Sequence, residues 1–378
     1  MRVLHLFSNY KWTGPAEPAL TLAAGLQGSG VDVVFRSSGY TKGHRKNHVL
    51  ERGIERGLQP VTDLSLSKHR AFWRDVPDVA RLRGIVAREG FDLVHCHLPN
   101  DTRIAAHALR GGSVPFVRTL YDTEPHRTPE ADRKLLHRAR SVFVFSRGMQ
   151  RDLEQRGLRE ERVVHVESAV DLERFRPDAG SGDKRAELGL SPEDFVAGIV
   201  ARVQPQRRFD LLLDAAEEVA RACPRFRLLI IGRGSKLERT AREPARRRGL
   251  LDRTVFFPGY FVGEEYPAML RALDVKIFLV PGTDGSARAV REALACGLPV
   301  VATRRGILPE LVRDRVTGRS VEESVPALSE ALLELWRDEA ARREMGKAAR
   351  RDACERFDLQ RQVDAVRETY RAVLEVAS

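Results

Sequence analysis

The stretch Val280–Val301, VPGTDGSARAVREALACGLPVV, constrains this chain more than any other. A short apolar run, Val275–Val280, ends at Pro281 and Gly282. Small residues follow, and from Ala287 the pattern turns helical. Gly297 and Pro299 stop that helix, and Pro299-Val300-Val301 begins another strand. Strand, loop, helix and strand in this order make a βαβ unit. The start of such a helix offers unpaired N–H groups and a partial positive charge, which suit a phosphate. Asp284 in the loop and Glu292 inside the helix can face one bound ligand, with the amides of Gly285, Ser286 and Ala287 between them.

This stretch resembles the signature of the retaining glycosyltransferases of family 4, which have the GT-B fold. Their pattern is an acid, seven residues, then Glu-Ala-Met/Leu-Ala-x-Gly-x-Pro-Val-Val. Here Asp284 precedes Glu292-Ala293-Leu294-Ala295-Cys296-Gly297-Leu298-Pro299-Val300-Val301 at that spacing. The first acid is usually Glu, and Asp284 departs from it. The resemblance implies an α/β chain with two Rossmann-like domains facing each other across a cleft.

With 378 residues, 42% of them hydrophobic, the chain exceeds one ordinary core and suits two α/β domains. No apolar run approaches the ~18 residues of a transmembrane helix. Met1–Phe7 reads as a strand and not as a signal peptide, because no cleavage pattern follows. Cys96, Cys223, Cys296 and Cys354 are scattered, so neither a zinc site nor a disulfide framework is indicated. A reducing cytoplasm is the expected compartment. The net charge of +11 is concentrated before residue 170, and all ten histidines lie there too. Such an excess suits nucleic acid, an anionic membrane or an anionic small molecule. No helix-turn-helix, zinc-finger or RNP-like motif supports nucleic acid.

Val3–Phe7 reads as the first strand, followed by a loop with Gly14 and a helix over Ala19–Leu26. The loop lacks GxGxxG, which argues against a dinucleotide. By resemblance Gly14 is a close-approach residue beside the acceptor and donor phosphates; by itself it is also a plain turn glycine. Phe72, Trp73, Val76, Val79, Leu82 and Val86 recur at helical spacing among Lys68, His69, Arg70, Arg74, Arg81, Arg83 and Arg88. Such a helix either lies on an anionic membrane surface or packs its apolar side on the core. Phe91–His97 is a strand ending in His95 and His97. Their spacing is expected to put them on opposite faces, making them poor co-ligands for one metal. The phrase is similar to the family's Asp-x-Val-His-x-His, whose second His lines the cleft, so His97 is the site candidate and His95 a packed one. Tyr121 stands where many family members have a His that touches the donor sugar.

Glu167–Pro177 resembles the phrase that closes the family's first domain, so that domain is expected over 1–175 and a linker over 176–194. The second domain is expected over 195–355, and the terminal helix, 356–378, is expected to return to the first by the same resemblance. In the second domain, Arg202 and Arg207 occupy a strand-to-helix loop that suits a diphosphate, since guanidinium forks bind phosphate oxygens bidentately. The family pattern is Gly-Arg-x-x-x-x-Lys-Gly-x-Asp-x-Leu-Leu. Arg202 matches its Arg, while Arg207 and Arg208 replace its Lys and Gly. Gly232-Arg233-Gly234 resembles the Gly-x-Gly loop beside the nucleotide. Tyr260 and Phe261 follow a turn that in the family lies against the nucleobase; both also read as core aromatics.

The resemblance implies transfer of a sugar from a UDP- or GDP-type nucleoside-diphosphate sugar to a hydroxyl acceptor, with retention of configuration. Arg202, Arg207, Asp284 and His97 are the expected catalytic groups, and Glu292 would accept the ribose hydroxyls. No two aspartates are separated by one residue. The metal-chelating DxD is therefore absent, and no metal or other cofactor is expected. The basic first half suggests a glycolipid or surface-polysaccharide precursor as acceptor and an enzyme peripheral to the membrane. Two alternatives stand beside this reading: a non-catalytic binding homologue and a GT-B sugar-nucleotide epimerase. An oxidoreductase is disfavoured, because neither half has GxGxxG with an acid about twenty residues on.

Overall fold

The apolar runs form twelve strands among the residues described by the computed structural model, namely 1–43, 45–121, 134–178, 184–281 and 287–377. The chain divides into two compact units. The first holds residues 1–169 and 359–377, and the second holds 170–281 and 287–358. The boundary thus falls before the expected position 175. The described parts of the stretch expected to be a linker, 176–178 and 184–194, fall in the second unit, where Leu190 packs in the core.

In the first unit the strands are β1 (Arg2–Phe7), β2 (Asp32–Ser37), β3 (Leu93–Cys96), β4 (Phe116–Thr119), β5 (Val142–Val144) and β6 (Val163–His165). They pair in parallel in the order β2-β1-β3-β4-β5-β6. In the second unit they are β7 (Phe195–Val200), β8 (Phe226–Ile231), β9 (Val255–Gly259), β10 (Val275–Phe278), β11 (Val300–Thr303) and β12 (Gly318–Val321). Their parallel order is β12-β11-β10-β7-β8-β9. Each order reverses once, between β1 and β3 and between β7 and β10. Ligands of open α/β sheets bind beyond the strand ends at such a reversal.

Helices cover the sheets, and most strand residues are buried. The last helix, Leu359–Ala377, packs Val363, Val366, Tyr370 and Val373 against Val3, Leu93, Val117 and Phe143 of the first sheet. Gly25 permits its approach: a Cβ there would sit 2.7 Å from a methyl of Val363. Among the described residues, no helix is long and apolar enough to cross a membrane.

The helix Phe72–Glu89 divides its apolar residues in a way that hydrophobic periodicity does not reveal. Leu82, Ile85 and Val86 are buried, whereas Phe72, Trp73 and Val76 are 64%, 80% and 52% exposed. The acids turn inward instead. Asp78 accepts from the amides of Ser65 and Leu66, and Asp75 accepts from the amide of Ala71 and from Asn100.

Candidate functional site

In the second unit the loops after β7, β8 and β9 are laced together by backbone bonds. The amide of Ala201 donates to Ile231, that of Val203 to Arg233, and that of Gly232 to Gly259. The two glycines of the Gly-x-Gly loop are what allow this. A Cβ at Gly232 would lie 2.1 Å from the carbonyl oxygen of Ala201, and one at Gly234 would lie 2.3 Å from that of Val203. Gly232 also has φ +149. Both glycines therefore bring backbone close to backbone, shaping a tight rim at the carboxyl ends of the strands.

Arg207 ends a short 3-10 turn, Pro205–Arg207, and its Nη1 donates to the carbonyl oxygen of Val280 at 2.6 Å. This bond ties the loop after β7 to the loop after β10, at the reversal of the sheet. Arg202 is exposed, with no hydrogen-bond or ion-pair partner among the described residues. Arg208 stands at φ 57, the left-handed region, which accounts for the glycine usual at this place. Its side chain turns away to Asp210 and Glu323.

The helix Arg288–Ala295 begins after Ala287, which is buried and also left-handed at φ 43. Asp284, Gly285 and Ser286 lie outside the described residues. Glu292 is buried, and both of its oxygens have protein partners. The hydroxyl of Tyr266 donates to Oε2 at 2.7 Å, and Arg288 Nε lies 3.2 Å from Oε1. Burial, with Glu292 alongside, pushes the Tyr266 phenol well up. Lys276, on β10, is fully buried, and its Nζ has no hydrogen-bond partner among the described residues. Burial lowers it to about 7, against the opposing pull of Glu292.

The aromatic pair after β9 divides. Tyr260 is 54% exposed, with the Arg233 guanidinium 4.3 Å above its ring, while Phe261 packs partly on the core. An exposed aromatic face capped by an arginine at a strand end suits a flat heterocycle. Sequence reasoning passed over Tyr266, Lys276, Arg288 and Arg233. A lysine inside an apolar strand was the one visible signal among them.

In the first unit Gly14 lies in the turn before the helix Ala16–Gly28. The loops after β1 and β3 meet through Asp101. Its carboxylate accepts from the amides of Ser8, His97 and Leu98. Burial pushes that carboxyl up to about 6, against the pull of Arg118 and these donors. His95 and His97 do not lie on opposite faces. Their rings stack with centroids 4.3 Å apart and planes at 12°. Residues two apart along an extended strand share a face, so the pairing is what strand geometry requires. His97 is also fully buried. Its Nε2 meets His5 Nδ1 at 3.0 Å and its Nδ1 meets the Tyr121 hydroxyl at 2.7 Å. His5, on β1, was not singled out, yet it is the strand neighbour of His95.

The profile of the family described as Glycosyltransferase Family 4 matches residues 14–174, and that of glycosyl transferases group 1 matches residues 181–352. The D-inositol 3-phosphate glycosyltransferase of Salinispora arenicola is 31% identical over 322 residues, covering 77% of this chain and 71% of that one. The chain belongs to the group 1 glycosyltransferases. This glycosyltransferase is also similar to a GDP-mannose-dependent alpha-(1-6)-phosphatidylinositol monomannoside mannosyltransferase of Mycolicibacterium smegmatis. They are 34% identical over 198 residues, 50% of each chain. Among solved structures, Anabaena HepE in complex with UDP has TM-score 0.83 at 19% identity, covering 98% of this chain and 100% of that one. The fold of this glycosyltransferase is thus GT-B, with two Rossmann-like domains.

Proposed function

We propose that this glycosyltransferase moves a sugar from a nucleoside-diphosphate sugar to a hydroxyl of a glycan or glycolipid, with retention and without a metal ion. The observation that carries the donor assignment is the Arg207 bond to Val280. It holds a guanidinium at the reversal of the second sheet, in the same loop as Arg202, which has no partner among the described residues. Departure of the nucleoside diphosphate leaves negative charge on the β-phosphate. Fixed cations stabilise that charge without reorganising, a term worth a few kcal/mol per donor group. Tyr260 under Arg233 supplies a face for the base. Glu292, oriented by Tyr266 and Arg288, keeps lone pairs for the ribose hydroxyls. Retention and the role of Asp284 rest on the family signature. UDP and GDP are both candidates, since HepE was solved with UDP and the Mycolicibacterium relative is named for GDP-mannose.

Calorimetric titration with UDP, GDP and ADP in the presence of a chelator tests this reading. Micromolar binding of one of them is the expected result. Binding of none by the folded chain, or binding only with a divalent ion added, would contradict it.

The acceptor side points to an anionic membrane surface inside the cell. Phe72, Trp73 and Val76 stand out from one end of their helix. Lys68, His69 and Arg70 are exposed just before them, while Asp75 and Asp78 face inward. Exposed aromatics among outward cations suit the headgroup region of an anionic bilayer. The double variant Phe72→Ala/Trp73→Ala should bind phosphatidylglycerol vesicles roughly tenfold more weakly in sedimentation. Binding unchanged by the variant, or equal on neutral phosphatidylcholine vesicles, would remove this surface from the proposal.

A further inference from the structure

Three histidines, a threonine and Tyr121 lie on one face of the first sheet and its strand ends, and Tyr370 meets them from the last helix. His5, His95, His97 and Tyr370 are fully buried, and Thr119 and Tyr121 nearly so. Tyr121 OH meets His97 Nδ1 at 2.7 Å, and His97 Nε2 meets His5 Nδ1 at 3.0 Å. His5 Nε2 meets Tyr370 OH at 3.4 Å. Tyr370 OH meets His95 Nδ1 at 2.5 Å, and His95 Nε2 meets Thr119 Oγ1 at 2.6 Å. The groups thus form an unbranched line, Tyr121–His97–His5–Tyr370–His95–Thr119. Each imidazole uses both of its ring nitrogens in the line.

The same imidazoles offer ligand atoms within 4.8 Å of one another, a spacing that could suit a metal ion. The hydrogen bonds already occupy every ring nitrogen, so the line explains the cluster without an ion. A neutral imidazole has one N–H and one bare nitrogen, and a hydroxyl has one hydrogen. Proton order along the line is therefore restricted. If Tyr121 donates to His97, each later group passes the donation on, and all three histidines carry their proton on Nε2. If Thr119 donates to His95, the order reverses, and all three carry it on Nδ1. A mixed set would either set two like groups face to face or make Tyr370 accept from both neighbours and strand its own buried hydrogen, at a cost of about 1–3 kcal/mol.

We propose that these six residues form one directional hydrogen-bond chain in which the three histidines are neutral and share a single tautomer, so that the chain sets whether the Tyr121 hydroxyl donates outward or only accepts. Burial supports the neutral state. It pushes His5 down to about 3 and holds His95 and His97 well below the usual imidazole range, aided at His95 by the neighbouring His97. In one order the Tyr121 hydrogen is committed to His97. In the other the Tyr121 oxygen accepts from His97, and its hydrogen is directed outside the line. Tyr121 follows the carboxyl end of β4, so Tyr370 on the last helix acts as a positioning residue for a hydroxyl at the end of the sheet. The shared tautomer stands without the proposed transfer reaction; an effect on transfer rests on that reading.

Long-range nitrogen–proton correlation spectra of the full chain, with histidine labelled at both ring nitrogens, test the chain directly from pH 5.5 to 8.5. His5, His95 and His97 should show no titration and one common tautomer. Opposite tautomers within the native set, or a titration of any of the three in that range, would overturn the proposal. Thr119→Val and Tyr370→Phe cut the line at different places and report separately if either misfolds. Tyr370→Phe should shift the ring nitrogens of both His5 and His95, and unchanged shifts would break the proposed link.

The transfer arm is a double-variant cycle. Tyr121→Phe should lower kcat/KM about tenfold, and adding Tyr370→Phe should lower it little further. Effects that multiply independently would contradict a line acting through Tyr121. Should the chain fail to turn over any donor, the tautomer measurement still decides the network by itself.

Discussion

Replacing Lys276 with Met should stabilise the protein, and the gain should be largest in mild acid. The Lys276 ammonium is fully enclosed in β10 and has no hydrogen-bond partner among the described residues. An isolated buried charge costs several kcal/mol unless the group gives up its proton. Its native value, about 7, lies below the ordinary 10.5. Between those values the unfolded chain holds a proton that the native chain lacks, so native stability rises with pH there. The penalty is fullest below pH 7 and fades towards pH 10. Met fills much the same volume without charge, and Glu292 keeps Tyr266 and Arg288 as partners. A gain of about 1–4 kcal/mol at pH 6 follows by analogy with other buried ionic groups. That corresponds to about 2–4 °C in Tm per kcal/mol for a unit of this size. Calorimetric melting at pH 6, 7.5 and 9 reads the effect. A lower Tm for the variant at pH 6, or an advantage that grows with pH, would contradict the buried-charge account.

The second large effect belongs to Arg207→Ala. This change removes a cation and also the bond that ties the loop after β7 to Val280. Hydrogen bonds to charged groups are worth about 1.5–3 kcal/mol each, so nucleoside diphosphate affinity should fall roughly 10–100-fold. Arg207→Lys restores the charge but not the planar fork, and should recover only part of the loss. Equal affinity of the native chain and the alanine variant, measured by calorimetry with both folded, would move the diphosphate away from this loop.

Much of the molecule was legible in the sequence because its strands are apolar runs with clear stops. β1 and β10 lie almost where the runs Val3–Phe7 and Val275–Val280 place them. The family signature located the loops after β7, β8 and β10, and at Gly232 and Gly234 the close backbone approach leaves no room for a Cβ. What stayed hidden depends on contacts distant in sequence. Tyr266 reaches Glu292 from another helix. Tyr370 reads as one more apolar position of the last helix, yet its hydroxyl reaches His5 and His95 at the other end of the chain. The histidine pair was accessible to strand geometry alone, since His5, His95, Thr119 and Tyr121 all fall on one face once the period of two is applied. The exposure of Trp73 was not accessible, because a helix with apolar residues on two sides does not declare which side the core will take.

The central claim is metal-independent transfer from a nucleoside-diphosphate sugar. The most direct measurement is release of nucleoside diphosphate from UDP-glucose and from GDP-mannose by the native chain, in chelator, with anionic glycolipid vesicles present and absent. The account predicts that one donor is consumed in chelator, faster with vesicles, and that Arg207→Ala abolishes the turnover. Consumption of neither donor by a chain that binds the nucleotide would contradict transfer and leave a binding protein in its place.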